Sequence, residues 1–170
     1  MSVLTDIWLM MSGKLREEIG KSGPFASLEE EVLLNFLRTA DRLTGSVESA
    51  LKPVGLSPTQ YNVLRILRGV NPQGLACQEI ARRMITRDAD ITRLLDRLQA
   101  RGLVHRQRQT DDRRVVHITI TPAGLAMLAE LDPMILDLNQ NLLRHLGTAG
   151  LKQLLELIEQ ARIQTERLRD

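Results

Sequence analysis

Apolar residues recur at helical spacing through most of this chain and switch to alternation in one short stretch. From residue 4 to residue 20, Leu4, Trp8, Met11, Leu15 and Ile19 fall on one stripe, which predicts a short helix. Gly20 to Pro24 breaks it. Ser27 and Glu30 then stand at capping-box spacing, with Ser27 as the cap and Glu30 reaching back. Leu33, Phe36, Leu37, Ala40, Leu43, Val47 and Ala50 carry a helix from there to about Leu51, and Pro53 and Gly55 end it. Ser57 and Gln60 repeat the box. Pro58 takes the first helical position, where its missing N–H is no loss. Tyr61, Leu64, Ile66 and Leu67 extend this helix to Arg68. After a loop over 69–74, helices are expected over Leu75–Met84 and Asp88–Arg101. The second has an inner stripe of Ile91, Leu94, Leu95 and Leu98, and Gly102 stops it in a left-handed conformation.

The period then changes. Val104, Arg106 and Arg108 alternate with His105 and Gln107, and Val115 to Ile120 is rich in β-branched residues. The polar stretch 109–114 between them predicts a hairpin with a charged tip. Thr121 and Pro122 start another helix, expected to run towards Leu146 with a kink at Pro133. After Gly147 and Thr148 a last helix carries Leu151, Leu154, Leu155, Ile158 and Leu168 on one stripe. The expected fold is mainly α with a small β-hairpin (α+β). It is a winged helix-turn-helix domain at 56–121, framed by an N-terminal helical extension (1–24), an N-terminal dimerisation helix (25–55) and C-terminal dimerisation helices (122–170). The apolar arms carry more surface than a three-helix module can cover, so a homodimer is expected.

Composition narrows the picture. Apolar residues make up 43% of the 170 but aromatic residues only 2%, so the core must be aliphatic, as suits helices packed on helices. One cysteine, no basic leader ahead of Asp6 and no apolar run near 20 residues point to a cytoplasmic chain without a membrane span. The net charge is only +2, but it is unevenly spread. Between Ser57 and Thr121 lie 12 basic residues, all arginine, against 6 acidic ones. Arginine's planar fork suits phosphate and guanine edges, so this points to a nucleic-acid module between acidic arms. On the helix at 88–101, Ala89, Thr92, Arg93, Asp96 and Arg97 turn away from the apolar stripe, to face DNA or to form surface ion pairs. His105, His117 and His145 lack metal-ligand spacing, no phosphate loop or nucleophile elbow is present, and neither a cofactor nor catalysis is expected.

The segments Gly55–Tyr61, Ile91–Leu98, Arg101–Val104, Asp112–Arg114 and Thr121–Gly124, in that order, resemble the MarR family of bacterial transcriptional regulators. The resemblance covers about Ser27 to Asp170. It implies a homodimer on a pseudo-palindromic operator in double-stranded DNA, usually as a repressor, released in some members by a small, often phenolic ligand; a pocket for such a ligand is expected between the dimerising and DNA-binding helices. Its base-reading positions fall on Arg87, Asp88, Ala89, Asp90, Thr92 and Arg93. Here the chain departs from the family's usual Ser, Pro and Thr. Asp88 and Asp90 are either helix-start residues favoured by the helix dipole or acceptors for cytosine N4. The family's wing pattern falls on Asp112 and Arg114, with Arg114 lining the minor groove or closing a tight turn. Ser57, Thr59, Gln60, Arg97, Arg106, Arg108 and Arg113 complete the expected DNA-facing set. Arg68, near the end of its helix, is expected outside it. Cys77 reads as a small packing residue and Trp8 as packing or a dimer contact. A winged-helix module that binds protein instead of DNA is the alternative.

Overall fold

In the computed structural model, residues 14–86, 90–108 and 116–167 are described. The chain divides into two compact units, one reaching Ser46 and the other running from Val47. In the first, α1 (Lys14–Glu18) buries Leu15, and Glu18 pairs with Arg38 and Arg42 at 3.6 and 2.7 Å. Both arginines lie on α2 (Leu28–Leu51). The cap at the start of α2 differs from the expected box. Ser27 Oγ accepts from the Glu30 N–H, but the Glu30 carboxylate reaches one residue further back, to the Ala26 N–H. Residues 4–13, including Trp8, lie outside the described residues.

In the second unit a 3₁₀ turn (Lys52–Val54) closes α2. Then come α3 (Pro58–Arg68), strand β1 (Leu75–Ala76), α4 (Cys77–Arg83), α5 (Ile91–Ala100), β2 (Val104–Arg108), β3 (Val116–Ile120), α6 (Pro122–Leu143), a 3₁₀ turn (Arg144–Leu146) and α7 (Gly147–Arg167). Three expectations are corrected. The segment expected as a helix over Leu75–Met84 begins as a strand, because Leu75 and Ala76 pair with Ile118 and His117 and make the sheet three-stranded in the order β1-β3-β2. The recognition helix expected over 88–101 starts at Ile91, with Asp90 outside as its N-cap. The helix expected to run towards Leu146, with Pro133 inside it, contains Pro133 but ends at Leu143, where it tightens into the 3₁₀ turn. The wing expected at 105–118 is built on β2 and β3, with Val104 opposite Ile120 and Arg108 opposite Val116. Its tip, 109–115, lies outside the described residues.

The core is aliphatic, as the composition requires. Leu51, Val63, Leu64, Leu67, Ile80, Leu95, Leu98 and Leu128 are fully buried, with Leu94, Ile118 and Ile120 beside them. Each such side chain stabilises the fold by roughly 1.5–3 kcal/mol relative to exposure. Two glycines fix the wing's base. Gly102 takes φ 68° and turns the chain out of α5. Gly124 packs so closely that a Cβ would stand 2.5 Å from the Leu103 carbonyl and 2.7 Å from Ile120 Cγ1. Thr121 caps α6 through the Gly124 N–H and donates its hydroxyl to the Gly102 carbonyl at 2.7 Å, so both glycines are tied to one cap. The sheet and α6 therefore hold the C-terminal end of α5 in a fixed frame.

Candidate nucleic-acid interface

The first turn of α3 and the first two turns of α5 meet at an open cleft of about 240 Å³. Ser57, Thr59 and Gln60 line one side, and Asp90, Arg93, Leu94 and Arg97 the other. Sequence order alone separates these groups by some 30 residues; the buried stripe of α5 against α3 brings them together. Ser57 Oγ accepts from the Gln60 N–H at 3.2 Å, and the Gln60 amide oxygen accepts from the Ser57 N–H at 3.0 Å. Gln60 is thus buried and engaged in its own cap, while the Ser57 and Thr59 hydroxyls lie 2.9 Å apart at the cleft.

Across the cleft, Asp90 caps α5. Its carboxylate accepts from the Arg93 N–H at 3.0 Å and stands 3.2 Å from Arg93 Nε. A carboxylate at this end of a helix is favoured by the orphan N–H groups and the dipole. For Asp90 the geometry is therefore that of a helix-start residue. Arg93 is an exposed cation that shares its charge with Asp90. Arg97, one turn on, is exposed and has no carboxylate partner among the described residues. Thr92 is exposed beside them.

The wing strand is fastened to this face. Arg106 Nη1 lies 2.6 Å from Asp96 Oδ1, and its Nη2 donates to the Thr92 carbonyl at 3.3 Å. Arg106, expected to face DNA, clasps β2 to the outward side of α5. The ion-pair reading of Asp96 holds here. Arg108 ends β2. Arg87, Asp88, Ala89, Asp112, Arg113 and Arg114 lie outside the described residues.

Sequence reasoning missed two supporting contacts. Arg101, the residue after α5, donates to the Val54 and Gly55 carbonyls at 2.8 and 2.6 Å, which ties α5 to the turn before α3. Arg68 forms a two-pronged pair with Asp132 of α6 at 2.6 and 3.1 Å. That hydrogen-bonded guanidinium holds the Asp132 carboxyl below its ordinary range and raises Arg68 in return. Nothing local marks either arginine, since the partners are 46 or more residues away. The histidines do not form a site. His105 opposes Thr119 and His117 opposes Gln107, and the His117 ring nitrogen lies 3.4 Å from the Gln73 carbonyl. No cluster of His, Cys, Asp or Glu among the described residues could hold a metal, and no described helix is long and apolar enough to cross a membrane.

A MarR family model matches residues 56–116, the segment from the start of α3 to the wing. The HTH-type transcriptional repressor YetL of Bacillus subtilis (strain 168) is 30% identical over 103 residues, which is 61% of this chain and 62% of that protein. The chain thus spans less than two thirds of that relative's length. A solved MarR transcription factor from Planctomyces limnophilus is 42% identical, with 80% of this chain and 98% of that one covered and a TM-score of 0.63. The structure of BpsR from Bordetella bronchiseptica, a protein whose DNA binding is regulated by 6-hydroxynicotinic acid, shares the fold at 24% identity. There the TM-score is 0.71, over 82% of this chain and 98% of that one. The family and these relatives are regulators of transcription, not enzymes. With 42% identity along nearly the whole of a solved member, and with the winged helix-turn-helix built as described, this chain belongs to the MarR family.

Proposed function

We propose that this chain is a homodimeric transcriptional repressor that reads a pseudo-palindromic operator through α5 and the wing, and that a small aromatic effector releases it. The observation that carries the reading is the cleft. Two arginines and two hydroxyls converge there on an exposed face, next to a wing strand clasped to the same helix. Guanidinium groups and hydroxyls are the donors that phosphates and base edges accept from, and the first turns of the second helix of the motif are the part that enters a major groove. In this reading Ser57, Thr59 and Arg97 hold phosphates, and Thr92 and Arg93 reach bases. Arg87, Asp88, Ala89, Asp112, Arg113 and Arg114 are proposed as further DNA contacts and lie outside the described residues. Arg106 and Gln60 support it from within the fold.

Dimerisation is supported by apolar side chains left exposed. On α2 these include Val32, Leu33, Phe36 and Leu37; on α7 they are Leu155, Leu157 and Ile163. Helix faces of this kind need a partner surface. The proposed arms are residues 25–55 and 122–170, with 1–24 as an extension. A two-fold dimer would present two copies of α5 to successive major grooves, roughly 34–36 Å apart. An effector acts only through different affinities for the DNA-ready and DNA-incompatible arrangements. A planar aromatic acid is the proposed class, by analogy with the ligand named for BpsR.

The test is selection of bound duplexes from a random library by the full chain, followed by light scattering and titration with salicylate. A two-fold repeated sequence, a mass of two chains and displacement by the aromatic acid are expected. No enriched sequence, or a mass of one chain at micromolar concentration, refutes the reading.

A further inference from the structure

We propose that Ile85, in the turn between α4 and α5, contacts a base in the operator, its apolar tip meeting the 5-methyl group of a thymine in the major groove. The inference rests on the DNA-binding reading above and names the group that one further residue would recognise.

Among the described residues, the large apolar side chains left exposed fall between residues 19 and 37 and between 134 and 163, with one exception. That exception is Ile85, alone in the stretch from Val47 to Pro133 and, at 84%, the most exposed of them all. The dimer arms give the others a reason to be exposed. Ile85 needs a different one.

Its surroundings supply it. The Ile85 N–H donates to Asn62 Oδ1 at 3.0 Å, so the turn is fastened to α3. Asn62 lies three residues on from Thr59, on the same side of α3 as that wall of the cleft. The side chain is therefore presented from a held backbone, and as a β-branched residue it has little rotamer freedom to lose on contact. Five residues later comes Asp90, the cap of the helix proposed to enter the groove. A turn that feeds the first turn of such a helix is carried to the groove edge with it.

The neighbours favour DNA over a protein partner. Arg82 and Arg83, on the last turn of α4, are exposed and paired with Glu79 at 3.4 and 3.3 Å. Protein interfaces centre on clusters of apolar side chains, and Ile85 has no other exposed large apolar side chain near it in sequence among the described residues. A single aliphatic tip beside cations fits a surface that meets phosphates and one apolar group. On the major-groove edges of the four unmodified bases that apolar group is the thymine C5-methyl.

The experiment uses the full chain and the duplex enriched from a random library. Each thymine in one half-site is replaced in turn by deoxyuridine, which removes only the methyl, and affinity is read by fluorescence anisotropy. At one position the wild type should lose about fourfold, the worth of one buried methyl group. Ile85→Ala should bind the thymine operator more weakly by a similar or larger factor and be indifferent to deoxyuridine at that position. Ile85→Val should keep part of the sensitivity. An unchanged melting temperature is expected for both variants, since the side chain is exposed. If no thymine is methyl-sensitive, or if Ile85→Ala keeps the full sensitivity, the assignment is overturned while the DNA-binding reading stands. If no duplex is enriched at all, both fall together.

Discussion

Arg93 and Arg97 lie one helical turn apart at the cleft, yet their environments predict different failures. Arg97 has no carboxylate partner among the described residues, so its whole charge is free to meet a phosphate. For a dimer with about eight phosphate contacts, the slope of log affinity against log salt is about −7. Arg97→Ala removes two of these contacts and should bring the slope to about −5, with an affinity loss of about 60-fold near 0.1 M salt that is equal for every sequence. Arg93 already shares its charge with Asp90 and lies in the first turn of α5. An exposed pair of this kind is worth at most about 1 kcal/mol and is easily exchanged for a base. Arg93→Ala should therefore cost about 1–3 kcal/mol at the operator and flatten the preference at one base pair per half-site. Both variants are titrated by anisotropy at four salt concentrations, against the operator and its single-base variants. An unchanged slope for Arg97→Ala, or an equal loss on every sequence for Arg93→Ala, would refute these assignments.

Other expectations concern the frame and the wing. Arg68 hydrogen-bonds Asp132 and holds its carboxyl low, so the pair stabilises the fold above the ordinary carboxylate range near pH 4, and that contribution disappears as pH falls below it. The pair is a third to a half exposed, so screening limits it to about 1 kcal/mol. A double-mutant cycle with Arg68→Ala and Asp132→Ala should show that coupling in urea unfolding at pH 7 and a progressively smaller one as the pH is lowered below 4, with base preferences untouched; coupling that does not fall with pH would sink the argument. Arg106→Ala should destabilise the fold by about 1 kcal/mol through the lost contact to Asp96, non-additively with Asp96→Ala. Additive losses in the unfolding cycle would mean that no clasp exists. Arg114→Ala should weaken binding most on operators with A·T-rich flanks, where a narrow minor groove attracts arginine. A silent Arg114 in flank-swapped duplexes would leave Asp112 and Arg114 as a turn clasp alone.

What the sequence determined here is what a few consecutive residues settle among themselves. The cap at Ser57 and Gln60 closes within three residues, as does the Thr121 cap on Gly124, and both stand where the pattern puts them. The stripe of Leu94, Leu95 and Leu98 is buried because helical periodicity alone puts those three on one side. Packing decided the rest. β1 is two residues long and exists only because β3 offers Leu75 and Ala76 an edge to pair with. Arg93, Arg97, Arg101 and Arg106 are the same residue in one short stretch, and only Arg93, with Asp90 three residues before it, has a partner within one helical turn. One shares a cap, one has no carboxylate partner among the described residues, one ties the turn before α3 through carbonyls 46 and 47 residues away, and one clasps the wing. Hydrogen bonds within a helical turn need only the local backbone, so sequence spacing encodes them. A guanidinium's partner across tens of residues is fixed only when the aliphatic core has set which faces meet.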